Sequence, residues 1–207
     1  MHQQILACRK CVEAGHLGVA MPMFQGRPGQ RLMLIGQAPG IKEVEVRKPF
    51  AWRAGRQLER WMVRAGFADD DHFRALTYIT SVTKCFPGKA ASGSGDRRPS
   101  RAEVELCLPW LWQQLELVQP RLILLLGTLA IDQFMPGRSL ESLVGHLFDT
   151  DGVEITTTRA GDSARQRWLL PLPHPSGASR WLNDPAHREM LETGLEKLRV
   201  TWPRLVV

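Results

Sequence analysis

Four cysteines are the residues of this chain whose spacing most clearly suggests chemistry. Cys8 and Cys11 form a Cys-x-x-Cys turn, 73 residues separate Cys11 from Cys85, and a further 21 separate Cys85 from Cys107. Such a turn presents two thiolates to one metal centre, and two more thiolates complete a four-fold set. We expect these four cysteines to hold a metal. The spacing fits a zinc ion and an iron–sulfur cluster equally well, and four unrelated cysteines are the alternative interpretation.

His174 is the second candidate, because it stands between two prolines in the segment Pro173-His174-Pro175-Ser176. Proline fixes its own φ angle, so prolines on both sides hold the imidazole in a rigid segment outside regular structure. The chain has six histidines. His174 is the one to which we assign a functional role, because the other five lack such flanks.

A loop rich in glycine and proline is the third candidate, with the sequence Gly36-Gln37-Ala38-Pro39-Gly40 directly after an apolar run. Glycine allows a ligand to approach the backbone closely and exposes N–H groups to it. The loop lacks the Lys-Ser/Thr ending of a phosphate-binding P-loop, which argues against hydrolysis of nucleoside triphosphates. A phenylalanine ten residues further on, at position 50, is by itself an ordinary core residue.

Four short apolar runs predict the strands that position these candidates. They cover residues 32–35, 77–82, 122–126 and 168–172, and turn residues follow each of them. Apolar stripes at helical spacing lie between and after the runs, at positions 54, 58, 61, 62 and 65, at 104, 108, 111, 115 and 118, and at 191, 195 and 198. Alternating strands and helices predict an α/β fold, a three-layer α/β/α sandwich around a central four-stranded parallel sheet. The carboxyl ends of the strands then meet at one rim, where such sheets bind ligands.

Composition bounds the class of protein. The chain has 207 residues, 43% of them hydrophobic, and a net charge of +6. This length fits one domain over residues 1–207, and the apolar content excludes a disordered chain. No apolar run approaches the ~18 residues of a membrane helix, and the first residues do not form a signal peptide. We therefore expect a soluble, cytoplasmic monomer with no membrane partner.

Arginine dominates the basic residues, with 21 arginines against six lysines. The guanidinium fork matches phosphate oxygens and stacks on bases, so this bias favours a polyanionic partner. Residues 97–101, with the sequence Arg-Arg-Pro-Ser-Arg, are candidates for phosphate contacts, and a solvated loop is the alternative. Residues 89–96 predict a flexible surface loop.

Taken in order, these motifs resemble family 4, the iron–sulfur type, of the uracil-DNA glycosylase superfamily. The first motif of that family reads Gly-Glu-Ala-Pro-Gly, then a glutamate, Pro-Phe and Ala-Gly-x-x-Leu. Its middle motif reads Ile-Thr-Asn-Val-Val-Lys-Cys, and Leu-Gly and His-Pro-Ser motifs follow. The matching residues here are 36–40, Glu43, 49–50, 54–58, 79–85, 126–127 and 174–176 with Arg180. The resemblance spans almost the whole chain.

The resemblance implies a DNA repair enzyme that flips a damaged base, uracil first, out of DNA and cleaves its N-glycosidic bond. It implies a 4Fe-4S cluster on the four cysteines, with zinc as the alternative, and DNA as the partner. The implied base-binding residues are Gly36, Gln37, Ala38, Phe50, Ser81 and His174, with Phe50 stacked on the base. The residues expected to contact DNA are Lys84, Ser176 and Arg180.

The implied catalytic residues are His174, Gln37 and Glu43. His174 is expected to donate a hydrogen bond to the departing base, and one such donor contributes about 3 kcal/mol. Family 1 relatives hold the attacking water with an aspartate where this chain has Ala38. Gln37 or Glu43 is therefore expected to position the water, and the charge of Glu43 suits a cationic sugar.

Three departures from the family pattern bear on the substrate. Gln37 replaces a glutamate, Ser81 replaces the asparagine that reads the uracil edge in relatives, and Trp52, which replaces a glycine, is expected to narrow the pocket. A serine hydroxyl is shorter than an asparagine amide and does not make both of its hydrogen bonds. Three alternatives stay open: a glycosylase for another deaminated base, a lesion-binding protein without catalysis, and a redox sensor built on the cysteines.

Overall fold

Six strands form one sheet in this computed structural model, which describes residues 1–93, 95–155, 166–176 and 180–206. The strands are β1 (Leu32–Gly36), β2 (Thr77–Ser81), β3 (Leu122–Leu126), β4 (Leu147–Asp149), β5 (Glu154–Ile155) and β6 (Trp168–Leu172). Their order across the sheet is β2-β1-β3-β6-β4-β5. The four predicted strands are confirmed. They are adjacent and parallel, and every residue of each is buried, including Thr77, Thr80 and Ser81 of β2.

The predicted four-stranded parallel sheet is confirmed as the centre of the sheet, which β4 and β5 extend at one edge. Both pair antiparallel, β4 with β6 and β5 with β4. Three and two residues long, they are too short to give an apolar run that stands out in the sequence. The expectation of one domain over residues 1–207 stays a prediction.

Helices cover both faces of the sheet. They are α1 (His2–Leu6), α2 (Lys10–Glu13), α3 (Ile41–Val46), α4 (Arg53–Arg64), α5 (Asp70–Leu76), α6 (Arg101–Val118), α7 (Thr128–Asp132) and α8 (Pro185–Val206), with 3-10 turns at Leu140–Ser142 and Trp181–Asn183. None of the helices in the described ranges is long and apolar enough to cross a membrane.

Two hydrophobic cores show how the layers form. Leu32 and Leu34 of β1 face one core, which α4 and α8 cover, whereas Met33 and Ile35 face the other, which α6 and α7 cover. Successive side chains of a strand point to opposite faces, so one strand contributes side chains to both cores. The predicted three-layer sandwich is confirmed.

The register of the sheet positions the candidate loops. Gly36 at the end of β1 lies directly beside Ser81 at the end of β2, and Leu126 of β3 lies beside Leu172 of β6. The segments that follow these residues therefore meet at one edge of the sheet, as expected from the parallel strands.

Candidate active site and cysteine pocket

A cleft of about 950 Å³ opens at the carboxyl ends of the parallel strands. Eight of the residues predicted to act in one site line it, namely Gly36, Gln37, Ala38, Glu43, Phe50, Ser81, His174 and Ser176. Residues from four separate segments of the sequence thus reach one space, and the imidazole of His174 and the ring of Phe50 share it.

Phe50 rests on the glycine that ends β1. A Cβ atom added to Gly36 would lie 2.9 Å from Cζ of Phe50, so only glycine lets the ring lie this close to the strand. The backbone of Phe50 has a φ of 54°, which a residue with a large side chain rarely adopts. Phe50 packs against the hydrophobic core and also lines the cleft. The same ring is therefore both a core residue and a cleft residue.

Glu43 holds the backbone on both sides of α3. One carboxylate oxygen accepts the N–H of Phe50 at 2.5 Å, and the other accepts the N–H of Gly40 at 2.5 Å. Burial raises the pKa of this carboxyl group, and the two backbone donors oppose that rise. Because each oxygen already accepts a hydrogen bond, the carboxylate is engaged in fixing the loop.

One ring nitrogen of His174 is engaged in a hydrogen bond. Its Nδ1 accepts the backbone N–H of Ser176 at 3.2 Å, and among the described residues Nε2 has no hydrogen-bond partner. Burial lowers the pKa of the imidazole, which favours its neutral form. With Nδ1 as the acceptor, the proton of the neutral ring is on Nε2. His174 therefore supplies a neutral N–H donor.

Gly127 makes room for this imidazole. It has a φ of 78°, and a Cβ atom added there would lie 3.1 Å from Cβ of His174. The Leu-Gly motif at the end of β3 thus leaves space for the histidine that follows the neighbouring strand, β6.

Ser81 offers the cleft an acceptor. Its Oγ donates to the carbonyl oxygen of Thr83 at 2.8 Å, and the N–H of Thr83 donates to the carbonyl oxygen of Gln37 at 3.2 Å. The hydroxyl hydrogen of Ser81 is thereby used, and the lone pairs of the oxygen stay available to a donor on a ligand.

All four cysteines line a second pocket, on the far side of the segment that follows β2. The indole N–H of Trp110 donates to Sγ of Cys8 at 3.3 Å, and the backbone N–H of Lys84 donates to Sγ of Cys107 at 3.2 Å. Burial raises the pKa of Cys11 to about 11 and that of Cys85 to about 12. In the described part of the chain, no three histidine, cysteine or acidic side chains are arranged to hold a metal ion.

A family model described as the uracil DNA glycosylase superfamily matches residues 23–199, which include the cleft. The chain belongs to the uracil-DNA glycosylase superfamily. A Type-4 uracil-DNA glycosylase of Pyrobaculum aerophilum is 36% identical over 145 residues, 69% of this chain and 68% of the relative. Another, of Archaeoglobus fulgidus, is 28% identical over 201 residues, 95% of this chain and 88% of the relative.

One predicted DNA contact of this uracil-DNA glycosylase superfamily member is corrected by the structure. Lys84 is 1% exposed, and its ammonium group donates to the carbonyl oxygen of Ser81. Burial lowers the pKa of this lysine to about 8. A side chain that turns inward between the two pockets does not reach a DNA phosphate, so we withdraw Lys84 from the DNA contacts.

The predicted arginine contacts are in different surroundings. Arg97 lines the cleft but forms a two-point ion pair with Glu103, at 2.6 and 2.7 Å. Arg101 pairs with Glu105 on an exposed surface, and Arg180 is exposed outside the residues that line the cleft. The cationic side chains that line the cleft are those of Lys42, Arg53, Lys89, Arg97 and Arg98.

Two residues of the site gave no signal in the sequence. Arg74 is buried, and its guanidinium donates to the carbonyl oxygens of Pro49 and Phe50 and to the side chains of Gln25 and Asp70. Asp96, from the predicted surface loop, lines the cleft beside α3. It pairs with Lys89 at 2.8 Å, and residues 89 and 96 form a β-bridge that holds the base of the loop.

Proposed function

We propose that this protein is a DNA repair glycosylase that flips uracil out of DNA and hydrolyses its N-glycosidic bond. One observation carries the proposal: the Nε2 donor of His174 and the ring of Phe50 line the same cleft. A base stacked on the phenylalanine then lies within the space that the imidazole faces. The relatives named above are themselves called Type-4 uracil-DNA glycosylases.

The base is recognised by its flat face and by its edge. Phe50 stacks on the extruded ring, and Gly36 keeps the phenylalanine against the strand. Ser81 accepts a hydrogen bond from the ring N–H of uracil, because the serine hydroxyl hydrogen already points to Thr83. The backbone N–H groups of Gln37 and Ala38 face the carbonyl oxygens of the base.

Departure of the base is assisted by His174. As the bond between the sugar and the base breaks, its electron pair leaves with the base, and negative charge is delocalised from the ring nitrogen onto a carbonyl oxygen of the base. A neutral Nε2–H aimed at that oxygen stabilises the charge, and one preorganised donor of this kind contributes about 3 kcal/mol. The imidazole donates in its neutral form, because burying a charged imidazolium would cost free energy and burial lowers the pKa of His174.

The attacking water is positioned by Asp96 in this proposal, with Gln37 as a second hydrogen-bonding group. Glu43 and Asp96 are the carboxylates among the described residues that line the cleft. Both oxygens of Glu43 accept backbone N–H groups at 2.5 Å, whereas the contact of Oδ2 of Asp96 with the N–H of Ile41 is long, at 3.4 Å, so Asp96 takes the expected role in this proposal. Its negative charge stabilises the cationic sugar, and it takes the proton that the water loses.

The cysteine pocket brings together the thiols that the family resemblance assigns to a cluster. Four thiols line one pocket, and two of their sulfur atoms accept N–H donors, as the cysteine ligands of an iron–sulfur cluster do. We propose that Cys8, Cys11, Cys85 and Cys107 hold a 4Fe-4S cluster. When bound, such a group joins the N-terminal turn, the segment after β2 and α6 covalently. Acid-labile sulfide and about four irons per chain would support this proposal, whereas one zinc per chain would contradict it.

DNA is the proposed partner. Lys42, Arg53, Lys89 and Arg98 line the cleft and supply cations to the phosphates on either side of the extruded nucleotide. Ser176 and Arg180, on the segment after β6, are proposed to contact the same strand. A monomeric state and a cytoplasmic location stay predictions.

The experiment that tests the proposal is a glycosylase assay on matched oligonucleotides that carry uracil, hypoxanthine or xanthine. We expect the wild type to release uracil and leave an alkali-sensitive abasic site. His174→Ala should lose at least about 100-fold in release and still bind the DNA. His146→Ala is the control, because His146 pairs with Glu154 away from the cleft. Release of another base in preference to uracil would reassign the substrate, and binding without any release would support the lesion-binding alternative.

A further inference from the structure

Trp52 is an exposed aromatic residue that lines the cleft. Its side chain is 48% exposed and lines the cleft, two residues beyond Phe50 and immediately before α4. Water-exposed indole surface at a ligand site is available for contact with a flat apolar partner. Phe50 already accounts for one base, so Trp52 is free to act on a different part of the ligand.

A residue of the helix that follows holds the Trp52 ring in place. The guanidinium of Arg56, one turn along α4, lies 5.3 Å from the centroid of the Trp52 ring. A cation at this distance attracts the face of an indole and limits its rotamers. Arg53, between them in the sequence, lines the cleft and adds positive charge beside the indole. An aromatic ring beside basic side chains is the arrangement with which proteins bind single-stranded nucleic acid.

We propose that Trp52 is a stacking site for the nucleobase adjacent to the extruded one. This inference rests on the proposed function. Two residues of chain span at most about 7 Å, which is comparable to the reach of one nucleotide along an extended strand. A strand that inserts one base at Phe50 therefore brings its neighbour to the indole. Stacking on an aromatic side chain is tolerant of base identity, so Trp52 adds affinity for unpaired DNA without reading sequence.

The test combines a protein change with a substrate change. Single-stranded substrates carry one uracil, with the neighbouring base intact or replaced by an abasic spacer on the 5′ or the 3′ side. On the intact strand, Trp52→Ala should raise KM about tenfold with little change in kcat, and Trp52→Phe should keep most of the affinity. With the spacer on the contacted side, the KM of the wild type should rise by the same factor, and the KM of Trp52→Ala should not rise further. An undiminished effect of Trp52→Ala on both spacer substrates would overturn the proposal.

Trp112→Ala is the matched control, because Trp112 is 39% exposed on α6 and does not line the cleft. It should leave KM unchanged on every substrate. A similar loss from Trp112→Ala would mean that the effect of Trp52→Ala does not arise in the cleft.

A binding measurement separates this inference from the proposed function. In the His174→Ala background, a strand with 2-aminopurine next to uracil should lose fluorescence on binding, and Trp52→Ala should restore it. If the wild type releases no base but the quenching depends on Trp52, the stacking site stands and the proposed reaction fails. If the wild type releases uracil and the quenching is the same with and without Trp52, the stacking site is disproved.

Discussion

The guanidinium of Arg74 donates to the carbonyl oxygen of Phe50 at 3.3 Å, across 24 residues of sequence. Glu43 accepts the N–H of the same residue, so the peptide groups on both sides of the Phe50 side chain are fixed. A positive φ at a non-glycine residue costs on the order of 1–3 kcal/mol and persists only where its surroundings impose it. Gly55 belongs to those surroundings, because a Cβ atom there would lie 1.6 Å from the Phe50 carbonyl oxygen.

Arg74→Lys should loosen this aromatic ring. A single ammonium group does not reach the carbonyl oxygens of Pro49 and Phe50 together with Asp70, so KM for uracil-containing DNA should rise about tenfold. In a Phe50→Ala background the same change should have no further effect on KM, because no ring is left to position. The measurement is steady-state kinetics on the two single variants and the double variant.

Arg167→Lys is the control for this change, since Arg167 also donates to a backbone carbonyl, but to that of Leu115, which does not line the cleft. If Arg74→Lys raised KM equally with and without the Phe50 ring, its role would be general stability. Thermal unfolding of each variant reports that role separately.

The rate of base release should fall at acidic pH. Burial lowers the pKa of His174 from its ordinary value of about 6.5, so the folded protein keeps this ring neutral until the pH drops below that value. Protonation then also destabilises the fold, because the unfolded chain takes up the proton at a higher pH than the folded one. A pH profile of kcat should show an acidic limb that His174→Gln abolishes. An unchanged limb in that variant would assign the titration to another group.

Asp96→Asn should reduce kcat about 100-fold with little change in DNA binding. Asparagine keeps the size of the side chain and still accepts the N–H of Ile41, but it does not take a proton from water. Single-turnover release under saturating enzyme measures this step. A kcat within a factor of two of the wild type would remove Asp96 from the mechanism.

Glu43→Gln should act mainly on stability. An amide has one acceptor oxygen for the two backbone N–H groups of Gly40 and Phe50, so one of them is left facing an amide nitrogen. We expect the free energy of unfolding to fall by about 1–3 kcal/mol. A large loss of kcat without loss of stability would return the water-positioning role to Glu43.

Gly36→Ala should displace the stacking ring. The new methyl group would lie 2.9 Å from Cζ of Phe50, so the ring must move into the cleft and KM should rise by about tenfold or more. Gly18→Ala is the matched control, because nothing lies within 4 Å of a Cβ atom at that position. Equal effects of the two substitutions on KM would contradict this geometry.

The predictable part of the fold is the part that is buried on both faces. Strands β1, β2, β3 and β6 lie within one residue of their predicted bounds. A parallel strand that is buried on both faces is mostly apolar, although β2 also buries Thr77, Thr80 and Ser81. The cleft was predictable for the same reason, because parallel strands bring their carboxyl ends to one edge. Strands β4 and β5 lack such a signature.

The direction in which a polar side chain turns was not predictable. Lys84 follows a strand end and was expected to reach DNA, yet it turns inward to the carbonyl of Ser81. Arg74 acts on backbone carbonyls, which every residue has, so its partners leave no pattern in the sequence. Asp96 lies in a loop rich in glycine and serine, and its contacts with Lys89 and with the N–H of Ile41, which leave no pattern in the sequence, hold it in the cleft.

The stretch from Ser81 to Cys85 joins the two pockets over a very short distance. Ser81 lines the cleft, Cys85 lines the thiol pocket, and Lys84 between them contacts both Ser81 and Cys107. Only three residues, 82–84, separate Ser81 in the cleft from Cys85 in the thiol pocket. We therefore expect oxidation of the thiols to displace Ser81 as well as the residues that line the thiol pocket.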